Sequence, residues 1–215
     1  MSKAYTPTDV SAQITEDRNW RLKEISDLKN ATTTSDQNLR RVLLRSLVTI
    51  CYAHWEGYVR FAARKYLEYV ALRRMQYSEL DRQFWRNYFL PRLASLATTK
   101  TSIADRCSLL DEIVTSFERR FSKANDDLVN TKSNLNFNVF SDICRVCAVP
   151  GALVDDKSQF VDVFLLKRRN EIAHGEETLV EMDDVDELTS ETVAMMRAFG
   201  DALENQVVLG RYRSA

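Results

Sequence analysis

The chain has 215 residues, 45% hydrophobic and 28% charged, proportions of a globular chain that exclude disorder, collagen-like repeats and a disulfide mini-scaffold. Its five glycines and three prolines fall well below the usual share of about 12%, too few to reverse the chain between the many strands of a sandwich, barrel or doubly wound sheet. Net charge is −1, so bulk electrostatics selects no partner class, and one domain of long helices over residues 1–215 is the expectation.

Thr6, Pro7 and Thr8 read as a helix start, because proline is tolerated in a first turn and threonine caps. Val10, Ile14, Arg21, Ile25 and Leu28 follow at helical steps to about residue 29, and three consecutive threonines within residues 30–35 should break the helix. Asp36 caps a second helix whose apolar residues, from Leu39 through Leu47 and Val59 to Val70, continue to about residue 75. Such a helix spans roughly 60 Å, with Gly57 the expected bend. Ser78 opens a shorter helix that Pro91 should close, since the residue before proline disfavours the α region. Further helices are predicted over residues 102–123, 139–148, 160–174 and 183–208, with a long loop across residues 124–138. The result is an all-α antiparallel bundle whose residues 70–100 are expected to project as an arm or insertion.

The charge-free run over residues 46–55 is about half of what a spanning helix requires. The N-terminus lacks the apolar core of a secretory signal, and four cysteines are too few for a disulfide framework, so a cytoplasmic protein that does not engage a membrane is expected. Cys144 and Cys147 form a CxxC that, with Cys51 and His54, formally offers four zinc ligands. Both pairs fall inside helical patterns, where cysteine serves as a small buried apolar residue, so no metal is assigned. There is no HExxH, Walker loop, GxSxG or GxGxxG, which disfavours a nucleotide-driven enzyme, and no cofactor is expected.

The informative segment is Lys167-Arg168-Arg169-Asn170-Glu171-Ile172-Ala173-His174-Gly175. His174, one of two histidines, is the side-chain type suited to proton transfer near neutral pH. Arg169 can hold a phosphate through two parallel hydrogen bonds. Asn170 lies one turn before His174, where its amide could orient the imidazole. Arg169 and His174 are five residues apart, about 140° around a regular helix, so they converge only if the helix ends near Ala173 or a second copy of the chain completes the site. The bland alternative is an ordinary helix C-terminus, with a cation near the carbonyl ends and glycine just beyond.

Arg169-Asn170-Glu171-Ile172-Ala173-His174 resembles the RxxxxH motif of the HEPN superfamily in its RNxxAH form. His54-Trp55-Glu56-Gly57-Tyr58-Val59 resembles the WEG element of the MAE-type HEPN subfamily, and Ser133-Asn134-Leu135-Asn136 resembles that subfamily's loop. The three elements stand in the expected order within residues 10–205. The resemblance implies a dimeric helical bundle and a metal-independent endoribonuclease of a toxin–antitoxin or anti-phage defence system, with an antitoxin or other defence protein as a further partner. It makes Arg169 and His174 the catalytic pair, Asn170 the motif's polar residue and Glu56 an additional site residue, the last also readable as a salt bridge to Arg60. His54 reads as packed or surface-lying.

Residues 60–92 carry eight basic side chains against three acidic ones, interleaved with aromatics. Cations that track a backbone and rings on which bases stack would hold single-stranded RNA, with Arg73, Arg74, Arg82 and Arg86 as contacts. Core aromatics and a solvated arginine face are the simpler account. Residues 176–191 carry eight acidic side chains and no basic one. They read as a solvated helix start, or as a segment that covers a basic surface of a partner or screens the site when no substrate is bound. The expected function is cleavage of single-stranded RNA to 2′,3′-cyclic phosphate and 5′-hydroxyl ends by a homodimer. Its rival is a non-catalytic helical module that dimerises and binds a defence-system protein.

Overall fold

The computed structural model describes residues 3, 5–98, 102–131, 134–150, 153 and 156–214. Its helices are α1 (Pro7–Thr34), α2 (Gln37–Leu72), α3 (Arg82–Thr98), α4 (Ile103–Thr115), α5 (Phe137–Val146), α6 (Arg168–Ala173) and α7 (Asp184–Val208). Among the described residues there is no strand, only two isolated bridges, Gln76 with Arg120 and Leu80 with Arg213.

Three long helices build the core. Ser35 and Asp36 alone separate α1 from α2, so the two run antiparallel, and the Asp36 carboxylate caps α2 through the N–H groups of Asn38 and Leu39. Arg18 pairs with Asp201 and Lys29 with Asp186, which sets α1 antiparallel to α7. Tyr58 meets Gly200 while Cys51 meets Thr192, so α2 and α7 run parallel. Trp55, Phe140 and Phe199, with ring centroids 4.9 and 5.4 Å apart, lock α2, α5 and α7 into one apolar cluster. Burial of this kind supplies most of the folding drive, each large side chain contributing about 1.5–3 kcal/mol.

Several boundaries differ from the sequence expectation for local reasons. The threonines do not break α1: Thr32, Thr33 and Thr34 donate their hydroxyls to carbonyls of the preceding turn, and Arg40 reaches back to the Thr32, Thr33 and Ser35 carbonyls at the helix end. Pro91 does not end α3. It forfeits one hydrogen bond to the Asn87 carbonyl, but Tyr88 and Arg92, on either side of it, both reach the Glu112 carboxylate of α4 and hold the helix across the gap. The second and fourth helices are shorter than expected. Arg74 leaves α2 with φ 52°, and Tyr77 N–H then bonds the Arg119 carbonyl while Phe121 N–H bonds that of Met75, so residues 119–121 pair with residues 75–77 instead of continuing α4.

Within residues 70–100, Tyr77, Leu80, Phe84 and Phe89 are buried, whereas Leu90 and Leu93 are exposed. Gly57 serves close approach: a Cβ there would lie 2.7 Å from the Arg21 guanidinium, which crosses α2 at that point. No described helix is long and apolar enough to cross a membrane.

Candidate functional site

The helix predicted over residues 160–174 has two parts. Phe160–Lys167 is π-helical and runs into the six-residue α6; such widened turns are frequent at functional sites. The α-helix ends at Ala173. His174 is its C-cap, Gly175 follows with φ 82°, and the Gly175 and Glu176 N–H groups bond the Ile172 and Glu171 carbonyls, a Schellman motif that only a left-handed residue can close. His174, exposed, is the residue at which the helix stops, but its N–H still bonds the Asn170 carbonyl at 2.9 Å as a helical residue's would, so within one chain it keeps a divergence of roughly 140° from Arg169.

Arg169 is half-buried, its guanidinium carbon 4.0 Å from the centroid of the Tyr52 ring, a cation–π contact that fixes the cation's position. Neighbouring Arg168 is engaged elsewhere, paired with Asp184 at 2.8 Å and lying over Phe164. The two adjacent arginines are thus separated by role.

Tyr52 is the residue that sequence reasoning missed, and three chain segments meet on it. Its hydroxyl accepts the Leu135 N–H at 2.7 Å, Arg169 covers its ring, and the Glu56 carboxylate, one turn further along α2, acts on its phenol. Burial pushes that phenol above its usual range and Glu56 adds to the push, while the Leu135 N–H and Arg169 oppose it. The available signal was spacing, since Tyr52 precedes Glu56 by four residues and so shares its helix face. Glu56 itself accepts a hydrogen bond from the Thr131 hydroxyl, not a salt bridge from Arg60. Of the loop, Ser133 lies outside the described residues. Leu135 is fully buried and Asn136 caps α5 through the Val139 N–H.

Tyr52→Phe keeps the ring beneath Arg169 but strands the buried Leu135 N–H. A loss of about 1–3 kcal/mol is expected, measured as a lower urea midpoint at unchanged slope.

Asn170 holds His174 through its backbone carbonyl, 2.9 Å from the His174 N–H; among the described residues its amide makes no hydrogen bond to the imidazole. Arg73, Arg74, Arg82 and Arg86 are not joined to this cluster by any described contact. Arg73 donates to the Tyr5 carbonyl and lies over Tyr69, Arg86 reaches Gln83, and Arg74 and Arg82 are exposed. The aromatics between them serve the core: Tyr66, Tyr69, Tyr77, Phe84 and Phe89 are buried, and Trp85 stacks on Phe117 while donating to Ser116. The stretch therefore offers charge with few rings for base stacking. A groove of about 1380 Å³ beside α2 takes Arg60, Arg64 and Lys65 into its lining, with Arg64 paired to Asp126 and Lys65 to Glu68.

The four formal zinc ligands do not assemble. Burial pushes the Cys51 and Cys144 thiols up to about 12 and Cys147 higher, as for thiols packed in an apolar core. His54 is engaged by α1, 5% exposed, with Nε2 2.9 Å from Glu24, Nδ1 3.5 Å from Arg21 and the Trp20 ring edge-on to it. Burial outweighs the Glu24 carboxylate and, with Arg21, holds the imidazole below its ordinary 6.5, Asp17 opposing weakly. Since the folded value is depressed, the unfolded chain binds the proton first. This contribution to stability is full above pH 6.5 and is lost as pH falls. Melting temperature should therefore drop between about pH 7.5 and 5.5, and drop less in His54→Gln; equal drops would clear His54 of the effect.

An all-α bundle that carries RxxxxH at the end of a short helix, against a long helix bearing a WEG element, is the HEPN class of helical domain. The RiboL-PSP-HEPN family matches residues 16–205, and the chain belongs to that family. The match names this HEPN family and not the MAE-type subfamily. No curated protein and no solved structure matches the chain.

Proposed function

We propose that the protein is an endoribonuclease that cuts single-stranded RNA without a metal ion, acts as a homodimer and serves a toxin–antitoxin or anti-phage defence system in the cytoplasm. The supporting observation is the convergence of Glu56, Leu135 and Arg169 on Tyr52, with His174 exposed at the end of the same short helix. A cation pre-positioned by a ring and an exposed imidazole at the end of the same short helix can serve as a phosphate clamp and a proton-transfer group. The ribose 2′-oxygen attacks phosphorus as His174 takes its proton; the P–O5′ bond breaks, and the departing oxygen receives a proton. The products are a 2′,3′-cyclic phosphate and a 5′-hydroxyl. A two-fold pair of chains would supply a second His174, so that one imidazole acts as base and the other as acid.

Cleavage of a single-stranded RNA should persist in EDTA, leave cyclic phosphate ends and spare the same sequence made of DNA, which lacks the attacking hydroxyl. Activity that requires added magnesium, or cleavage of DNA, would sink the mechanism. A non-catalytic module that docks a partner protein is the second reading, and α4 favours it. Ile103, Leu110 and Val114 are 79%, 62% and 76% exposed and share one face of that helix with the exposed Cys107.

A further inference from the structure

Arg169 accounts for one phosphate, whereas an RNA strand carries others on either side of the bond that is cut. The α2 face that bears Tyr52 and Glu56 continues backwards to Arg45 and Arg41. At 100° per residue the four fall within about 60° of one another, Arg45 about 10 Å along the axis from Tyr52 and Arg41 about 6 Å further. The turn at Gly175 sends the chain leaving His174 alongside this face. Arg45 Nη1 donates to the Thr178 carbonyl at 3.3 Å, and Arg41 pairs with the Glu177 carboxylate. Together they line a hollow of about 280 Å³ with Leu179 and Val180. Glu171, the other carboxylate at this turn, is already engaged by the Thr178 hydroxyl and Lys167.

The geometry points to Arg41 and Arg45 as a second phosphate subsite, which holds the RNA backbone next to the bond that Arg169 and His174 act upon, with Glu177 occupying Arg41 when RNA is absent. This rests on the reading of the motif as an RNA site. The Arg41–Glu177 pair is exposed on both sides, at 69% and 84%, so it contributes little and is readily exchanged. A strand phosphate releases condensed counterions as it binds, which a lone solvated carboxylate does not, and it can engage Arg41 through two oxygens where Glu177 uses one. The acidic segment is thereby a resident competitor at the strand path. The cations that matter sit at residues 41 and 45, outside the arginine-rich stretch that composition highlights.

The test measures fluorescence anisotropy of a labelled oligouridylate in a His174→Ala background, which keeps the probe intact. Arg41→Ala with Arg45→Ala should weaken binding about tenfold at low salt and flatten the plot of log affinity against log salt by about 1.4, two phosphates at about 0.7 each. The control pair Arg82→Ala with Arg86→Ala should change neither. Glu177→Gln should tighten binding about two- to threefold at low salt and have no effect at high salt, while Glu187→Gln, an equal change of charge on α7, should not. Unchanged affinity and slope in the Arg41/Arg45 variant overturn the subsite, as does absence of RNA binding in the parent; equal tightening by Glu187→Gln overturns the competitor. Cleavage by the unsubstituted protein is scored separately. Cleavage with no Arg41/Arg45 effect removes the subsite and leaves the nuclease, whereas an Arg41/Arg45 effect without cleavage leaves the subsite and removes the nuclease.

Discussion

His174→Ala is expected to lower the rate of RNA cleavage by about two orders of magnitude or more, the usual contribution of a positioned acid/base group. Because the side chain is exposed, its loss should leave the melting temperature unchanged within about 2 °C, surface truncations lying typically within ±0.5 kcal/mol. Arg169→Lys should be nearly as inactive: an ammonium keeps the charge but loses both the planar two-pronged grip on phosphate and the flat face laid on Tyr52. Rates and melting curves measured side by side separate chemistry from folding. Full activity in His174→Ala would eliminate the proton-transfer role, whereas no cleavage by the unsubstituted protein would leave the docking-module reading ahead.

Gly200→Ala should be among the most destabilising single-methyl additions in the chain. A Cβ there would sit 2.0 Å from the Tyr58 hydroxyl and 3.1 Å from Arg18, at the point where α7 crosses α2. Tyr58 is fully buried, so the ring cannot swing into solvent. Overpacking of this kind costs about 1–3 kcal/mol, a fall of roughly 2–4 °C in melting temperature for each kcal/mol in a chain of this size. Removing the obstructing atom supplies the check. Burial pushes the Tyr58 phenol well above its ordinary range, and among the described residues its hydroxyl makes no hydrogen bond. Tyr58→Phe alone should therefore cost little, and in the Gly200→Ala background it should restore much of the loss. Additive losses in the double variant would show that the hydroxyl is not the obstacle.

Helix identity was legible in the sequence wherever a long apolar period ran uninterrupted, as in α1, α2 and α7. It failed where side chains overrule local preference. The threonines of α1 and Pro91 of α3 are helix-unfriendly by type, yet hydrogen bonds from Arg40 and the Glu112 clamp, formed with residues distant in the chain or across a turn, hold both segments helical. The candidate site was half legible. Arg169, His174 and Glu56 stand in recognisable motifs, but Tyr52 carries no motif of its own, and its importance comes from the Leu135 N–H, 83 residues away. The aromatics between residues 60 and 92 admit two readings in the sequence because spacing cannot distinguish a ring that faces a nucleobase from one that faces the core; most of them face the core, the simpler of the two.

The order of the core helices bears on how the molecule is made. α1 and α2 bury their shared face against α7, and the Arg18–Asp201 contact spans 183 positions of sequence. Contacts so distant form slowly and late. On the ribosome, at roughly 5–20 residues per second, the segment holding Arg169 and His174 emerges while the groove that α7 will fill is still open and apolar. A nascent chain therefore carries the Arg169–His174 segment before the apolar core behind it is closed, and α7 is the helix that completes that core.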